Sequence, residues 1–270
     1  MRVVQTTFAS TIGSFALVLA GCAANPGQGS SVHASPPEPP AAAPAVSDPQ
    51  AAAIGSAAGS ADETLDDEAE ESFRLLLKDM GVRYYPARGE LEIDGWVNMR
   101  EGLVEVFACA PEGKTHESVV VLDCVPSGLH AGLLALGLHQ GTPVEFGTDG
   151  TYRPPTGDRV AVLVRWIDSS GVLRTARAEE WVWDLKDEVV MEQGDWIFAG
   201  SFLQEVSDDP TQSTYAANYV KSLVTTYHDA SSVLENPHPL GADDTVYYAN
   251  ERAVPAVGTP ITAVFRRVEK

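Results

Sequence analysis

The chain has 270 residues, 44% of them hydrophobic, and 38 Asp and Glu stand against 18 Lys and Arg, for a formal net charge of −20. A surface of that sign repels phosphodiester backbones and anionic headgroups, which excludes nucleic acid as a partner and recruitment to a membrane by a basic patch. The three cysteines cannot supply a four-thiolate cluster, and the length allows one or two domains.

The first predicted elements are a leader and a tether. Met1–Ala20 carries one basic residue, Arg2, then an apolar run through Phe15-Ala16-Leu17-Val18-Leu19 that is too short to span a bilayer and suits a signal-peptide core. It ends in Leu19-Ala20-Gly21-Cys22, which resembles the lipobox of bacterial lipoprotein signal peptides. That resemblance implies cleavage after residue 21 and lipidation of Cys22, several acyl chains holding the protein where one would bind only marginally. Ala23 stands where a retention Asp would sit, so the same resemblance implies the outer membrane, with the chain facing the periplasm. An ordinary secreted leader followed by a chance cysteine is the competing reading. Residues 22–71 form the expected tether. Ala23–Ala61 is almost wholly Ala, Pro, Gly and Ser and cannot bury enough apolar surface to order itself, and the acids of Asp62–Glu71 are expected to repel and extend it.

From residue 72 the pattern changes. Ser72–Gly81 has helical spacing and a terminal Gly. Glu90–Val97 alternates as a half-buried strand does, and Leu103–Cys109 reads as a more apolar one. After the polar loop Ala110–Ser118 comes Val119–Leu122, a strand apolar on both faces. Pro126 opens a helix with Leu129, Leu133, Leu134 and Leu136 on one side and His130 directed toward it. Gly141–Asp158 is a loop. Val160–Ile167 and Val172–Ala178 form a hairpin, with Val160, Val162, Val164 and Trp166 on one face. Asp195–Ala199 is another strand, Asn218–Tyr227 is β-prone, Ser231–Asn236 reads as a helical turn, and Val246–Ala249 and Ile261–Arg267 are closing strands. With no internal repeat, residues 72–270 are expected to form one α+β domain, a mostly antiparallel sheet with one or two short helices. If the strands ending at Cys109 and Cys124 pair as an antiparallel hairpin, the thiols lie about 20 Å apart at strand rise. Bridging needs Cα atoms within about 7 Å, so no disulfide is expected.

Lys114-Thr115-His116-Glu117-Ser118, followed by the buried strand and Leu129-His130-Ala131, resembles the YdjY-domain proteins of bacteria. Phe107-Ala108-Cys109-Ala110-Pro111, the hairpin Val164-Arg165-Trp166-Ile167-Asp168 with Gly171, Glu179-Glu180-Trp181-Val182 and Gly258-Thr259-Pro260 extend the likeness over roughly residues 89–268. The resemblance implies no particular activity. It directs attention to Cys109, His116 and Glu117. Some members carry a ferredoxin-like label, which this chain lacks the cysteines to satisfy.

Three kinds of chemistry compete for these residues. Cys109, His116, Glu117 and His130 offer the donor types of a borderline metal such as zinc, although their spacing follows no known ligand motif. Cys109 activated by His116, with Lys114 or Glu117 orienting the pair, would be a nucleophile. The third reading is a polar cluster that closes the loop, with Glu117 paired to Lys114 or to backbone amides. Trp181 and Trp183 share a side if extended and could form a ligand platform, or fill a core. His139, His228 and His238 sit among loop-like residues and are expected to be solvated. No phosphate loop, nucleophile elbow or His-Glu-x-x-His pattern is present. The sequence therefore favours a tethered, non-catalytic binding module with no cofactor, whose partner is an envelope protein or small ligand. The alternative is an enzyme, metal-dependent or cysteine-dependent, at Cys109, His116 and Glu117.

Overall fold

The computed structural model describes residues 59–148, 151–205 and 213–268, with side chains from residue 67 onward. The leader, Cys22 and the tether up to residue 58 lie outside the described residues. Helix α1 (Gly59–Asp79) comes first. It begins at Gly59, not at Ser72, so the acidic run expected to extend the tether is helical instead. Asp and Glu near a helix N-terminus complement its dipole, Arg74 Nη2 donates to Glu70 one turn back at 2.7 Å, and Lys78 occupies the last turn. Gly81, at φ +82°, ends the helix as the sequence predicts.

Strands β1 (Arg83–Tyr85) and β2 (Glu90–Val97) form a hairpin, followed by β3 (Val106–Cys109), β4 (Ser118–Leu122) and helix α2 (Pro126–Ala135). A short hairpin of β5 (Glu145–Phe146) and β6 (Tyr152–Arg153) precedes the long pair β7 (Arg159–Ile167) and β8 (Leu173–Arg177). Then come β9 (Val182–Asp184), β10 (Val189–Val190), β11 (Trp196–Ile197), β12 (Leu203–Glu205), β13 (Ser213–Tyr215) and helix α3 (Ala216–Val220). The chain finishes with β14 (Ser222–Thr225), β15 (Leu234–Glu235), β16 (Tyr247–Ala249) and β17 (Pro260–Arg267).

Eight of these strands close on themselves in the order β2-β17-β7-β11-β15-β14-β3-β4, with β4 pairing back to β2. The fold is a closed β-barrel with few helices, and the expectation of an α+β sheet is overturned by that last pairing. Most ladders are antiparallel, but β3 runs parallel to β4 and β14 parallel to β15. Cys109 and Cys124 therefore do not lie on an antiparallel hairpin, and both are free and buried.

Alternation explains the wall. Leu91 and Ile93 of β2, Val160, Val162 and Val164 of β7, and Ala263 and Phe265 of β17 all enter the main core. On the other side of the same strands, Arg266 Nε donates to Glu90 at 2.8 Å, Arg165 Nη1 donates to Glu92 at 2.8 Å, and Arg83 pairs with Asp94. The closing seam is tight. Gly95 stands opposite Leu122, and a Cβ there would meet the Val121 carbonyl oxygen at 2.1 Å.

Helix α2 packs against β2 and β14, with α1 and α3 beside it. Leu129 and Leu133 join the core, and Gly132 lets Leu91 approach so closely that a Cβ would sit 2.8 Å from its Cδ1. Leu134, expected on the packed side, is half-exposed. Two further expectations change: Asn218–Tyr227 opens with helix α3 before β14, and the turn expected over Ser231–Asn236 holds strand β15.

Candidate functional site

The loop between β3 and β4 is a self-contained polar knot. Lys114 Nζ lies 3.1 Å from Glu117 Oε1 and 3.2 Å from Glu105 Oε2, Ser118 Oγ donates to the Lys114 carbonyl at 2.6 Å, and Asn98 Nδ2 donates to the carbonyls of Thr115 and Ser118 at 2.6 and 2.7 Å. Beneath it Cys109, Val106 and Val121 form a small apolar cluster separate from the main core. Burial pushes the Cys109 thiol pKa up, against a smaller opposing effect from Ser118, the reverse of what a nucleophile needs. His116 stands in solvent, 3.7 Å from Glu117, and no hydrogen bond or ion pair joins it to Cys109. His130 is elsewhere, on α2. Among the described residues no group of three or more His, Cys, Asp or Glu is placed to hold a metal ion.

The geometry makes Glu117 a structural residue. Glu117→Gln is expected to cost about 1 kcal/mol, less than a buried charged hydrogen bond because its Lys114 partner is more than a third exposed. His116→Ala should stay within about 0.5 kcal/mol of the wild type. Urea unfolding of both variants checks this ordering.

The tryptophans also separate. Trp181 is fully buried and packs edge-on against Trp166 with centroids 5.2 Å apart, so it fills core and presents no platform. Trp183 is half-buried beside a cleft of about 540 Å³ that it lines with Tyr248 and Arg252.

His130 is the candidate that the fold places in a recognisable site. It lines an open groove of about 420 Å³ between α2 and the segment leading into β12, with Ser127, Leu134, Gln140, Leu203 and Tyr215. The floor is polar and ordered. The Tyr215 hydroxyl donates to the Gly200 carbonyl at 2.9 Å and lies 2.7 Å from His130 Nδ1. Its only hydrogen being used on Gly200, the phenol oxygen must accept from Nδ1–H, which leaves Nε2 as the acceptor nitrogen. Burial lowers the His130 pKa and raises that of Tyr215, so both are neutral. The Phe198 ring holds the imidazole edge-on at 5.2 Å. Asn218 of α3 ties the floor together, accepting from the Ser127 amide at 2.8 Å and donating to the Ser127 hydroxyl at 3.0 Å.

The rim is apolar and exposed: Leu134, Phe202 and, most of all, Leu203 at 70%. Concave apolar walls over a few convergent polar groups are the usual form of a small-ligand site. The sequence pointed to His130 but not to its company. Tyr215 and Phe202 lie far away in the chain and show no pattern of their own.

Among the other histidines, sequence reasoning missed His228 and the partners of His139 and His238. His228 is buried, not solvated: its Nε2 is 2.7 Å from the Tyr152 hydroxyl and its Nδ1 is 3.7 Å from Glu235 Oε2. Glu235 is fully buried, accepts from the Val144 amide at 3.0 Å, and has its pKa raised by burial. His139 is exposed but bonded to Asp158, and His238 Nε2 lies 2.9 Å from the Glu192 carbonyl. The signal for His228 was Glu235 itself, an acid inside the apolar run Val233-Leu234-Glu235.

A family model described as YdjY domain matches residues 86–266. No curated protein and no solved structure matches the chain.

Proposed function

The chain belongs to the YdjY-domain family, and from that premise we propose that it is a non-catalytic binding module, lipid-anchored at Cys22 in the bacterial outer membrane and facing the periplasm. The leader ending in Leu19-Ala20-Gly21-Cys22 supports the anchor, and the groove around His130 supports binding. One observation carries the second part: leucine and phenylalanine side chains stand exposed around a floor that presents the neutral polar groups of His130, Gln140 and Tyr215. That combination takes an uncharged, mostly apolar group with one hydrogen-bond donor, such as a tryptophan or tyrosine side chain of an envelope protein or a small molecule of the same character. A net charge of −20 disfavours acidic partners.

Two measurements test the reading. Cys22→Ser should move the protein from the membrane fraction to the soluble one, or leave it unprocessed; a wild-type protein without acyl mass would refute the anchor. For the groove, N-acetyl-tryptophanamide should shift the His130 ring resonances of the full chain, and Leu134→Asp should abolish the shift. If neither that probe nor its tyrosine counterpart moves His130, the groove is not the binding site.

A further inference from the structure

A second cavity, of about 650 Å³, is lined by Gly137, His139, Asp158, Arg159 and Arg267. We propose that it is a binding site for a small oxyanion, a phosphate or phosphomonoester. The argument starts from charge. With 38 acids against 18 bases in the chain, a guanidinium has no shortage of carboxylates, and Arg165 and Arg266 sit on Glu92 and Glu90 accordingly. Arg159 and Arg267 do not. Arg159 donates to the Gly194 carbonyl and Arg267 Nη1 donates to the Leu136 carbonyl at 3.1 Å, and neither has a carboxylate partner among the described residues. Each guanidinium offers five N–H donors, so most remain for a ligand.

The two arginines leave opposite faces of the sheet and share this cavity only because both stand at the same end of the barrel. Arg159 begins β7 and Arg267 ends β17, and the antiparallel ladder sets Arg267 opposite Val160. Their backbone anchors hold each guanidinium at the cavity, and a planar fork of donors matches an oxyanion better than any single point charge. His139 completes the set. Asp158 Oδ2 accepts from the His139 amide at 2.9 Å and lies 3.1 Å from Nδ1. A carboxylate only accepts, so Nδ1 carries its hydrogen and the ring is fixed, and Nε2 is left as an acceptor that takes the P–OH hydrogen of a hydrogen phosphate while the guanidinium groups hold its other oxygens. The wall is built by close approach: at Gly157, φ +142°, a Cβ would meet the Phe198 carbonyl oxygen at 2.1 Å, so the turn that delivers Asp158 and Arg159 tolerates no side chain there.

The test is calorimetric titration of the full chain with inorganic phosphate at neutral pH and low ionic strength. Saturable binding to one site is expected, weakened about tenfold or more by Arg159→Ala and by Arg267→Ala, in line with loss of a charged hydrogen bond. Arg267→Lys should retain part of it, and Arg174→Ala, an exposed arginine paired with Asp168, should retain all. Titration with a short-chain phosphatidate in its soluble monomeric form identifies the source: tighter binding than phosphate assigns a lipid headgroup, and equal or weaker binding assigns the free anion. No saturable heat with the wild-type protein overturns the proposal. So does wild-type affinity in both alanine variants, and the wild-type titration decides the matter even if a variant fails to fold.

Discussion

Gly95→Ala is expected to destabilise the protein by about 3 kcal/mol, the upper part of the range for overpacking, and to do so by loosening the barrel at its seam. A methyl at this position would meet the Val121 carbonyl oxygen at 2.1 Å and the Leu122 Cα at 2.9 Å. Both are backbone atoms of the facing strand, so no rotamer change relieves the contact, and β2 and β4 must move apart where they close the cylinder. Gly171→Ala is the comparison. It has φ +80° at a hairpin tip and nothing within 4 Å of its Cβ, so it carries only the conformational cost, about 1 kcal/mol. Urea unfolding of the two variants separates crowding from backbone strain. Equal losses would mean that the seam is not closely packed.

His228→Ala should cost as much or more, about 3–5 kcal/mol, from the cavity that a fully buried ring leaves and the hydrogen bond that Tyr152 loses. The imidazole supports two elements at once: Tyr152 on the β5–β6 hairpin through Nε2, and Glu235 on β15, 3.7 Å from Nδ1. Glu235→Gln isolates the charge. Burial holds the folded-state pKa of Glu235 above its ordinary value of 4.5, so the folded chain binds this proton more tightly than the unfolded chain. Its contribution therefore makes stability fall as pH rises from about 4.5 through the raised value, and that fall should vanish in Glu235→Gln. The opposite case, Asp94, is held low by its Arg83 hydrogen bond and loses its stabilisation only as pH drops below its ordinary 3.8. The windows do not overlap, so unfolding free energies at pH 3, 5 and 7 assign each. A wild-type and Glu235→Gln pair with parallel pH profiles would show that Glu235 is not strained.

The sequence made some of this structure legible and hid the rest for identifiable reasons. Val160, Val162, Val164 and Trp166 share a face because β7 alternates, and alternation is a local property. Gly81 ends α1 because a left-handed residue does so in any fold. Closure is not local. Nothing in Gly95-Trp96-Val97 announces that β4 will pair with it, and the parallel arrangement of β3 and β4 reverses the geometry on which the cysteine separation was judged. The acidic run at the start of α1 misled because repulsion in an extended chain and a favourable helix dipole draw on the same residues. Among the candidates, Glu117 was read correctly as a partner of Lys114, while His130 gained its meaning only when Tyr215 and Leu203 arrived beside it.

The position of β17 carries a consequence in time. Among the described strands it comes last in the chain, and it lies between β2, among the first, and β7. Until its eight residues are available, β2 and β7 each keep an open edge, and two strands with unpaired backbone groups are templates for pairing with other chains. The wall therefore cannot close before β17 has been made, and it closes through contacts of long sequence separation that form slowly. A chain cut short before Pro260 would lose one staple, and with it the continuity of the whole wall.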